Sequence, residues 1–189
     1  MEETSVAVQV EAALAGDAAA TEVLVRRVGR ITLPLAVAVL GDRDEAGDVA
    51  QDVAVEALRS LGRLREPARF DPWVRTMAAR MTLRAAESRR RRSRTEVSLE
   101  EAEPTQSADP TDAIAAREAL RIALAPLSAR QRIALVLRYV HGLSEREIAT
   151  ALGCRAGTVG SLLSRARDVL RQDESLLELA ATPAPGGGS

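Results

Sequence analysis

The scarcity of aromatic side chains is the feature that most restricts what this chain can fold into. Its 189 residues include one Phe, one Tyr and one Trp, although hydrophobic residues make up 46% of the chain. β-Sandwiches and barrels fill their pleated faces with aromatic and β-branched side chains, so this composition disfavours them. Ala, Leu, Arg and Glu predominate instead, and these residues favour helices. The sequence therefore predicts an all-α protein.

Several classes of protein are excluded or disfavoured by what the sequence lacks. One Cys and one His exclude a disulfide framework and argue against an all-protein zinc site. No nucleophile–base pair, Gly-rich phosphate loop or metal constellation is present, so we predict a protein that is not an enzyme and uses no cofactor. No signal peptide or apolar run of membrane-spanning length occurs. We therefore expect a cytoplasmic protein without membrane contact of its own.

Charge is distributed in blocks of alternating sign. All 26 basic residues are Arg, and the net charge of −1 conceals +9 on residues 59–94 and +6 on residues 117–172. Residues 95–116 between them carry −6. This pattern indicates two polyanion-binding surfaces on separate modules. The alternative is that the Arg-rich helix faces are only solvated.

The domain organisation follows from the same blocks. Residues 95–113 lack apolar periodicity and contain two prolines, which predicts a flexible acidic linker. The sequence then predicts two small helical domains, residues 1–94 and residues 114–175, followed by a disordered tail over residues 176–189.

A helix-turn-helix pattern occupies the second module. Capping boxes begin at Ser128 and Ser144 and predict two helix starts. Ala149, Gly153 and Val159 have the helix-turn-helix spacing: a small residue for close helix approach, a glycine for the turn, and an apolar anchor on the second helix. We expect that second helix to restart at Thr158. A plain αα-hairpin would show similar spacing.

A recognition helix needs a polar, cationic outer face to lie in the major groove. About four phosphate contacts from such a face would give a salt dependence of affinity with a slope near −3 to −4. The candidate DNA contacts of this helix are Arg155, Thr158, Ser161, Ser164, Arg165 and Arg167.

In the first module, an acidic helix precedes the basic block. Val49, Val53 and Leu58 form its predicted inner stripe. The opposite side carries Asp44, Asp48, Gln51 and Asp52. An acidic helix face suits docking on a cationic protein partner, not on DNA.

The basic block that follows interleaves aromatic residues with arginines. Such a surface can hold unstacked bases, each stack contributing about 1–3 kcal/mol. The alternative for the two aromatic residues is ordinary core anchoring. The candidate DNA contacts are Arg65, Arg69, Phe70, Trp73, Arg75, Arg80 and Arg84.

Three segments together resemble a known family. Residues 41–52, the run Phe70-Asp71-Pro72-Trp73 and residues 127–171 are similar to segments of bacterial extracytoplasmic-function sigma factors, which keep only sigma regions 2 and 4. The resemblance covers residues 20–94 and 112–172. It implies a region 2 helical bundle and a region 4 helix-turn-helix.

The resemblance also implies partners and roles. The helix with Asp48, Gln51 and Asp52 would bind the clamp helices of the β′ subunit of core RNA polymerase. The Arg65 to Arg84 segment would melt the −10 element, and the helix from Thr158 would read the −35 element while region 4 contacts the β flap. Because melting costs a few kcal/mol per unstacked step, free sigma should bind promoters poorly. An anti-sigma factor is a further possible partner.

Gly160 and Leu162 stand where members of this family usually carry basic residues. They motivate a second hypothesis, a sigma-like regulator that binds polymerase or an anti-sigma partner without efficient promoter opening. A third hypothesis is an ordinary helix-turn-helix repressor, which would bind duplex DNA tightly on its own.

Overall fold

In a computed structural model of the protein, residues 5–95 and 121–171 are described, and these ranges contain helices but no strand. The all-α prediction is confirmed. The predicted linker beyond Thr95 and the predicted tail lie outside these ranges. Within them, no helix combines the length and apolarity needed to cross a bilayer. The N-terminal module consists of four helices: α1 (Val6–Leu14), α2 (Ala18–Leu40), α3 (Arg43–Ser60) and α4 (Phe70–Thr95).

Local signals place the helix ends of this module. The Asp42 carboxylate caps α3 by accepting the amides of Asp44 and Glu45 at 2.8 and 2.9 Å. Gly41 ends α2 in the left-handed region at φ +72°, where glycine carries no side-chain penalty. Pro34 lies inside α2, and the helix continues past it.

Helix α2 is the centre of the module. It packs against α3 and α4, and α1 covers it from another side. Leu24 and Leu35 of α2 are fully buried beside Val53 of α3 and Val74 of α4. Burying a side chain of this size stabilises the folded state by about 1.5–3 kcal/mol relative to leaving that side chain exposed. The result is a helical bundle held by aliphatic side chains.

The C-terminal module contains α5 (Ala129–Leu135), a π-helical turn (Val136–Val140), α6 (Glu145–Leu152) and α7 (Ala156–Arg171). Both predicted capping boxes are confirmed. The Ser128 hydroxyl accepts the Gln131 amide at 3.4 Å, and the Gln131 side chain accepts the Ser128 amide at 2.8 Å. Ser144 and Glu147 repeat the arrangement at the start of α6.

The recognition helix begins earlier than the sequence predicted. It starts at Ala156 rather than Thr158, and the Arg155 carbonyl accepts the Thr158 amide at 2.9 Å. No Ser, Thr, Asp or Asn precedes the helix to mark its start, so the boundary carried no capping signal.

The two modules share a hydrophobic core. Helix α4 packs against α6, and α2 packs against α5 and the π-helical turn. The sequence predicted two modules but not this contact, because periodicity within a helix does not reveal which other helix covers its apolar face.

Candidate protein and nucleic-acid interfaces

Helix α3 presents an acidic face to solvent. Asp44, Asp48, Gln51 and Asp52 are all exposed, as the sequence predicted. The opposite side is buried and consists of Ala46, Val49, Val53 and Ala57. Its spacing of three and four residues fixes the helix against α2 and α4, so the acidic side is held outward.

An apolar groove of about 360 Å³ lies beside this acidic face, between α2 and α3. Leu58, predicted in the inner stripe, is half-buried in the groove because neighbouring Ala57 takes the core position. Sequence reasoning missed the groove because it exists only where α2 meets α3. Its lining residues are Val25, Gly29, Ala50, Gln51, Ala54, Val55 and Leu58.

The two aromatic residues at the start of α4 have different environments. Phe70 is fully buried, and Trp73 is half-buried with its ring centroid 6.0 Å from that of Phe70. Phe70 therefore lies in the hydrophobic core, as the alternative interpretation of the two aromatic residues predicted. It has no exposed face for a base in this conformation, so its contact with DNA stays a prediction that requires the loop to rearrange.

An ion pair fixes the beginning of α4 on α2. Arg27 Nε and Nη2 donate to the two carboxylate oxygens of Asp71 at 2.6 and 2.9 Å. Both side chains are about three-quarters buried. A bidentate pair of this kind sets orientation as well as distance. The sequence analysis missed it because the partners are 44 positions apart.

The arginines predicted to contact −10 DNA fall into two groups. Arg65, Arg69, Arg80 and Arg84 are exposed, whereas Arg75 is half-buried. Arg69 pairs with Glu66 at 2.8 Å. Arg75 has a buried Nε with no hydrogen-bond partner in the described ranges. Arg80 donates from Nε and Nη2 to backbone carbonyls of α6, at 3.3 and 3.2 Å.

The helix-turn-helix geometry is confirmed. Ala149 and Val159 are buried where the two helices meet. Gly153 adopts φ +63° in the turn, and the Cys154 amide donates to the Ala149 carbonyl at 2.9 Å. All six predicted −35 contacts are exposed: Arg155, Thr158, Ser161, Ser164, Arg165 and Arg167.

Gly160 faces an acidic neighbour. A Cβ added to this glycine would lie 3.4 Å from Oε2 of Glu145, the first residue of α6. A carboxylate at this point adds negative charge beside α7, which repels other anions.

His141 is half-buried where the π-helical turn ends. Burial lowers its pKa, and the nearby Arg75 guanidinium lowers it further, although the Ile31 carbonyl and Asp71 act in the opposite direction. These neighbours come from α2 and α4, so His141 belongs to the contact between modules. No group of three potential metal ligands occurs in residues 5–95 and 121–171.

A helical bundle with an exposed acidic face, combined with a helix-turn-helix whose outer face is cationic, is typical of DNA-binding proteins. Residues 24–92 match the family model for Sigma-70 region 2, and residues 117–170 match that for Sigma-70, region 4. The chain belongs to the extracytoplasmic-function (ECF) sigma factor family. It is therefore an alternative sigma factor directing transcription initiation. Sigma factors are generally not catalytic.

Full-length relatives support this assignment. The chain is 34% identical over 179 residues to the ECF RNA polymerase sigma factor SigL of Mycobacterium tuberculosis, covering 92% of this chain and 98% of that protein. It is 31% identical over 172 residues to the RNA polymerase sigma-H factor of Pseudomonas aeruginosa, covering 85% and 89%.

Two solved structures are similar. One is the sigma factor RpoE in complex with the anti-sigma factor NepR from Bartonella quintana, with a TM-score of 0.61, 26% identity, and coverage of 79% of this chain and 91% of that one. The other, CnrH in complex with the cytosolic domain of CnrY, has a TM-score of 0.65 at 21% identity, with coverage of 94% and 99%, and supports the fold.

Proposed function

We propose that this sigma factor binds the β′ clamp helices of core RNA polymerase through the acidic face of α3 together with the α2–α3 groove. The groove offers an apolar anchor, and Asp48 and Asp52 supply charge at its edge. This combination of a desolvated centre and a charged rim is typical of protein docking sites. The observation that carries the proposal is the outward projection of these carboxylates beside an uncovered apolar groove.

We further propose a division of promoter contacts between the modules. The exposed face of α7 reads the −35 element, and region 4 also contacts the β flap. In region 2, Trp73 and the arginines of the loop and α4 engage the −10 strand, and Phe70 contacts a base once the loop opens. Exposed arginines on both surfaces, together with the half-buried Arg75 of region 2, support this assignment. The region 2 set comprises Arg65, Arg69, Arg75, Arg80 and Arg84.

Charge reversal on α3 tests the polymerase contact. Asp48→Arg combined with Asp52→Arg should abolish co-purification with core polymerase, because like charges juxtaposed across an interface cost several kcal/mol. Glu11→Arg on α1 is the matched control, since Glu11 is an exposed acid away from the groove. Circular dichroism should show that all variants remain helical. Retention of polymerase by the double variant would refute the docking assignment.

Start-site mapping tests the promoter contacts. The purified protein with core polymerase should start transcription at defined sites on genomic fragments. Protein without core should leave the −10 strand closed, because melting needs binding energy from both promoter elements and from polymerase. Absence of any defined start would overturn the proposed promoter recognition.

A second candidate function has one structural observation in its favour. Gly160 removes a cationic contact from the recognition helix, and the Glu145 carboxylate lies beside it. A sigma-like regulator of this kind would bind polymerase without efficient promoter opening. Permanganate reactivity of the −10 strand decides between the two: reactive thymines support the initiating sigma factor, and unreactive thymines in a stable polymerase complex support the regulator.

The proposed site of action is the cytoplasm, where core polymerase and promoter DNA are found. The similar RpoE structure is a complex with the anti-sigma factor NepR. We propose that an anti-sigma protein, if paired with this chain, competes with polymerase for the α2–α3 groove.

A further inference from the structure

The start of α4, which carries much of the proposed −10 surface, is fixed at two successive residues. A 3₁₀ turn, Pro67–Arg69, leads directly into the first turn of this helix. The first helical residue, Phe70, is fully buried. The second, Asp71, accepts two hydrogen bonds from Arg27 of α2, at 2.6 and 2.9 Å. An apolar contact and an ionic contact therefore lie side by side at the beginning of the helix.

Contacts at two adjacent residues fix the rotation of a helix about its own axis. Successive side chains on an α-helix point about 100° apart, so one contact leaves the helix able to turn around it and two do not. A guanidinium that pairs through two parallel N–H groups sets the angle of its partner as well as the distance. The side chains of Arg27 and Asp71 are about three-quarters buried, which reduces the screening of the pair by salt. Helix α2 therefore sets the orientation of the first turn of α4.

The side chains assigned to the −10 strand depend on that orientation. Trp73 stands three positions after Phe70 on the same side of the helix, and the two ring centroids lie 6.0 Å apart. Arg75 stands four positions after Asp71, a spacing at which Asp and Arg pair with each other on an isolated helix. In this fold Asp71 pairs with Arg27 instead, and Nε of Arg75 has no hydrogen-bond partner among the described residues. The contact with α2 thus affects both an aromatic and a cationic group of the proposed DNA surface.

We propose that Arg27 and Asp71 are positioning residues for promoter opening. Their ion pair holds Trp73 in the orientation that receives an unstacked base of the −10 strand, and it keeps the Asp71 carboxylate from binding Arg75. The proposal rests on the −10 contacts proposed for region 2. Neither residue of the pair has to touch DNA, since each acts through the side chains that the first turns of α4 present.

The fluorescence of Trp73 tests this orientation without polymerase or DNA, because the chain contains a single Trp. Arg27→Lys keeps the positive charge but not the planar fork, so it loses one of the two parallel hydrogen bonds. In the full-length chain this variant should shift the Trp73 emission maximum to longer wavelength and increase the quenching of that emission by acrylamide. Arg26→Lys is the matched control, since Arg26 is the adjacent residue of α2 and pairs with Glu22 on the exposed surface. It should leave emission and quenching unchanged.

Promoter opening is the second readout, measured with core polymerase on a promoter obtained by start-site mapping. Arg27→Lys should slow the appearance of permanganate-reactive thymines in the −10 strand about tenfold, the effect of one lost charged hydrogen bond. The affinity of the closed complex should stay unchanged, because the proposed −35 contacts of region 4 are not altered. Arg26→Lys should match the parent in both measurements. A pair with a purely structural role would lower stability without separating opening from binding.

A second variant covers the case in which Arg27→Lys does not fold. Arg27→Gln combined with Asp71→Asn removes both charges together, so no unpaired buried charge remains. Because its neutral side chains cannot form the bidentate ionic pair, it must show the same emission shift and the same slower opening for the proposal to stand.

The two readouts separate this proposal from the proposed promoter contacts. An emission shift with slower opening supports the positioning role, and an unchanged result in either measurement overturns it. Reduced stability with normal emission and normal opening overturns it as well, since the pair would then be only structural. If the parent protein itself gave no defined start site, the proposed promoter contacts would be refuted, and the emission shift alone would decide whether the pair orients Trp73.

Discussion

The two arginine-rich surfaces of this protein differ in how many of their arginines are available. Arg155, just before α7, and Arg165 and Arg167 on α7 are all exposed, although Arg167 Nε donates to the Leu163 carbonyl at 3.3 Å. On α4, Arg80 is bound to carbonyls of another helix and Arg89 to the end of α2. Their similar charge in the sequence hides this difference. A count of arginines therefore overestimates the number of guanidinium groups that α4 leaves without a protein partner.

The cause is the position of the two helices in the fold. Helix α4 contacts α2, α3, α6 and α5, so arginines on several of its sides meet helix ends or carboxylates. Arg89 and Arg92 both lie near Glu45 of α3, at 3.2 and 3.8 Å. Helix α7 packs on its own module through Val159 and Leu163, against α5 and α6, and its predicted DNA contacts are exposed.

The largest expected effect tests whether Phe70 belongs to the core of region 2 or to its DNA surface. Phe70→Ala should lower the free energy of unfolding by about 3–5 kcal/mol, because it removes a fully buried ring. Trp73→Ala should cost less, since Trp73 is only half-buried. Urea denaturation measures both. If Phe70→Ala left the stability unchanged but impaired promoter opening, Phe70 would belong to the DNA-binding surface and not to the core.

A smaller effect is expected on the region 4 surface. Arg155→Ala combined with Arg165→Ala should reduce the salt slope of −35 binding by about two units, because each arginine neutralises one phosphate. Arg26→Ala on α2, an exposed arginine paired with Glu22, is the control. Titrations at several salt concentrations provide the slopes. An unaltered slope would mean that these exposed arginines do not touch DNA.

Gly160→Ala should have a modest stabilising effect. Alanine gains up to about 1 kcal/mol over glycine inside a helix. The new Cβ would lie 3.4 Å from an oxygen of Glu145, whose exposed side chain can move aside. Thermal unfolding of the full chain measures the change. A loss of stability would show that the contact with Glu145 is rigid and that the glycine is required for packing.

The smallest expected effect concerns pH at the contact between modules. The pKa of His141 is lowered below its usual 6.5, so the unfolded chain binds a proton more readily than the folded one. The free energy of unfolding should therefore decrease as the pH falls through 6.5 towards the lowered pKa, and stay level above it. His141→Gln should flatten this decrease between pH 8 and pH 5.5. If the variant showed the same pH dependence of the free energy of unfolding, the titration of His141 would not contribute to stability at this contact.

Several features were readable in the sequence because they depend on residues close together in the chain. The two capping boxes join residues three positions apart, and the helix-turn-helix spacing involves a turn of fixed length. The acidic face of α3 follows from helical periodicity alone. The start of α7 was misplaced by two residues because no capping side chain marks it.

Other features depend on pairs that are distant in sequence. Arg27 meets Asp71 across 44 positions, and Arg132 meets the Val39 carbonyl across 93. The groove beside Gln51 needs two helices at once. No periodicity marks such pairs, since each residue alone has the pattern of a solvated side chain.

Composition and local spacing by themselves determined that this chain is helical, carries an acidic and a cationic surface, and contains a helix-turn-helix. Only tertiary structure decided which arginines remain available, because a guanidinium binds whatever carbonyl or carboxylate the fold brings within reach. The same contact between modules half-buries His141 and leaves the outer face of the recognition helix exposed.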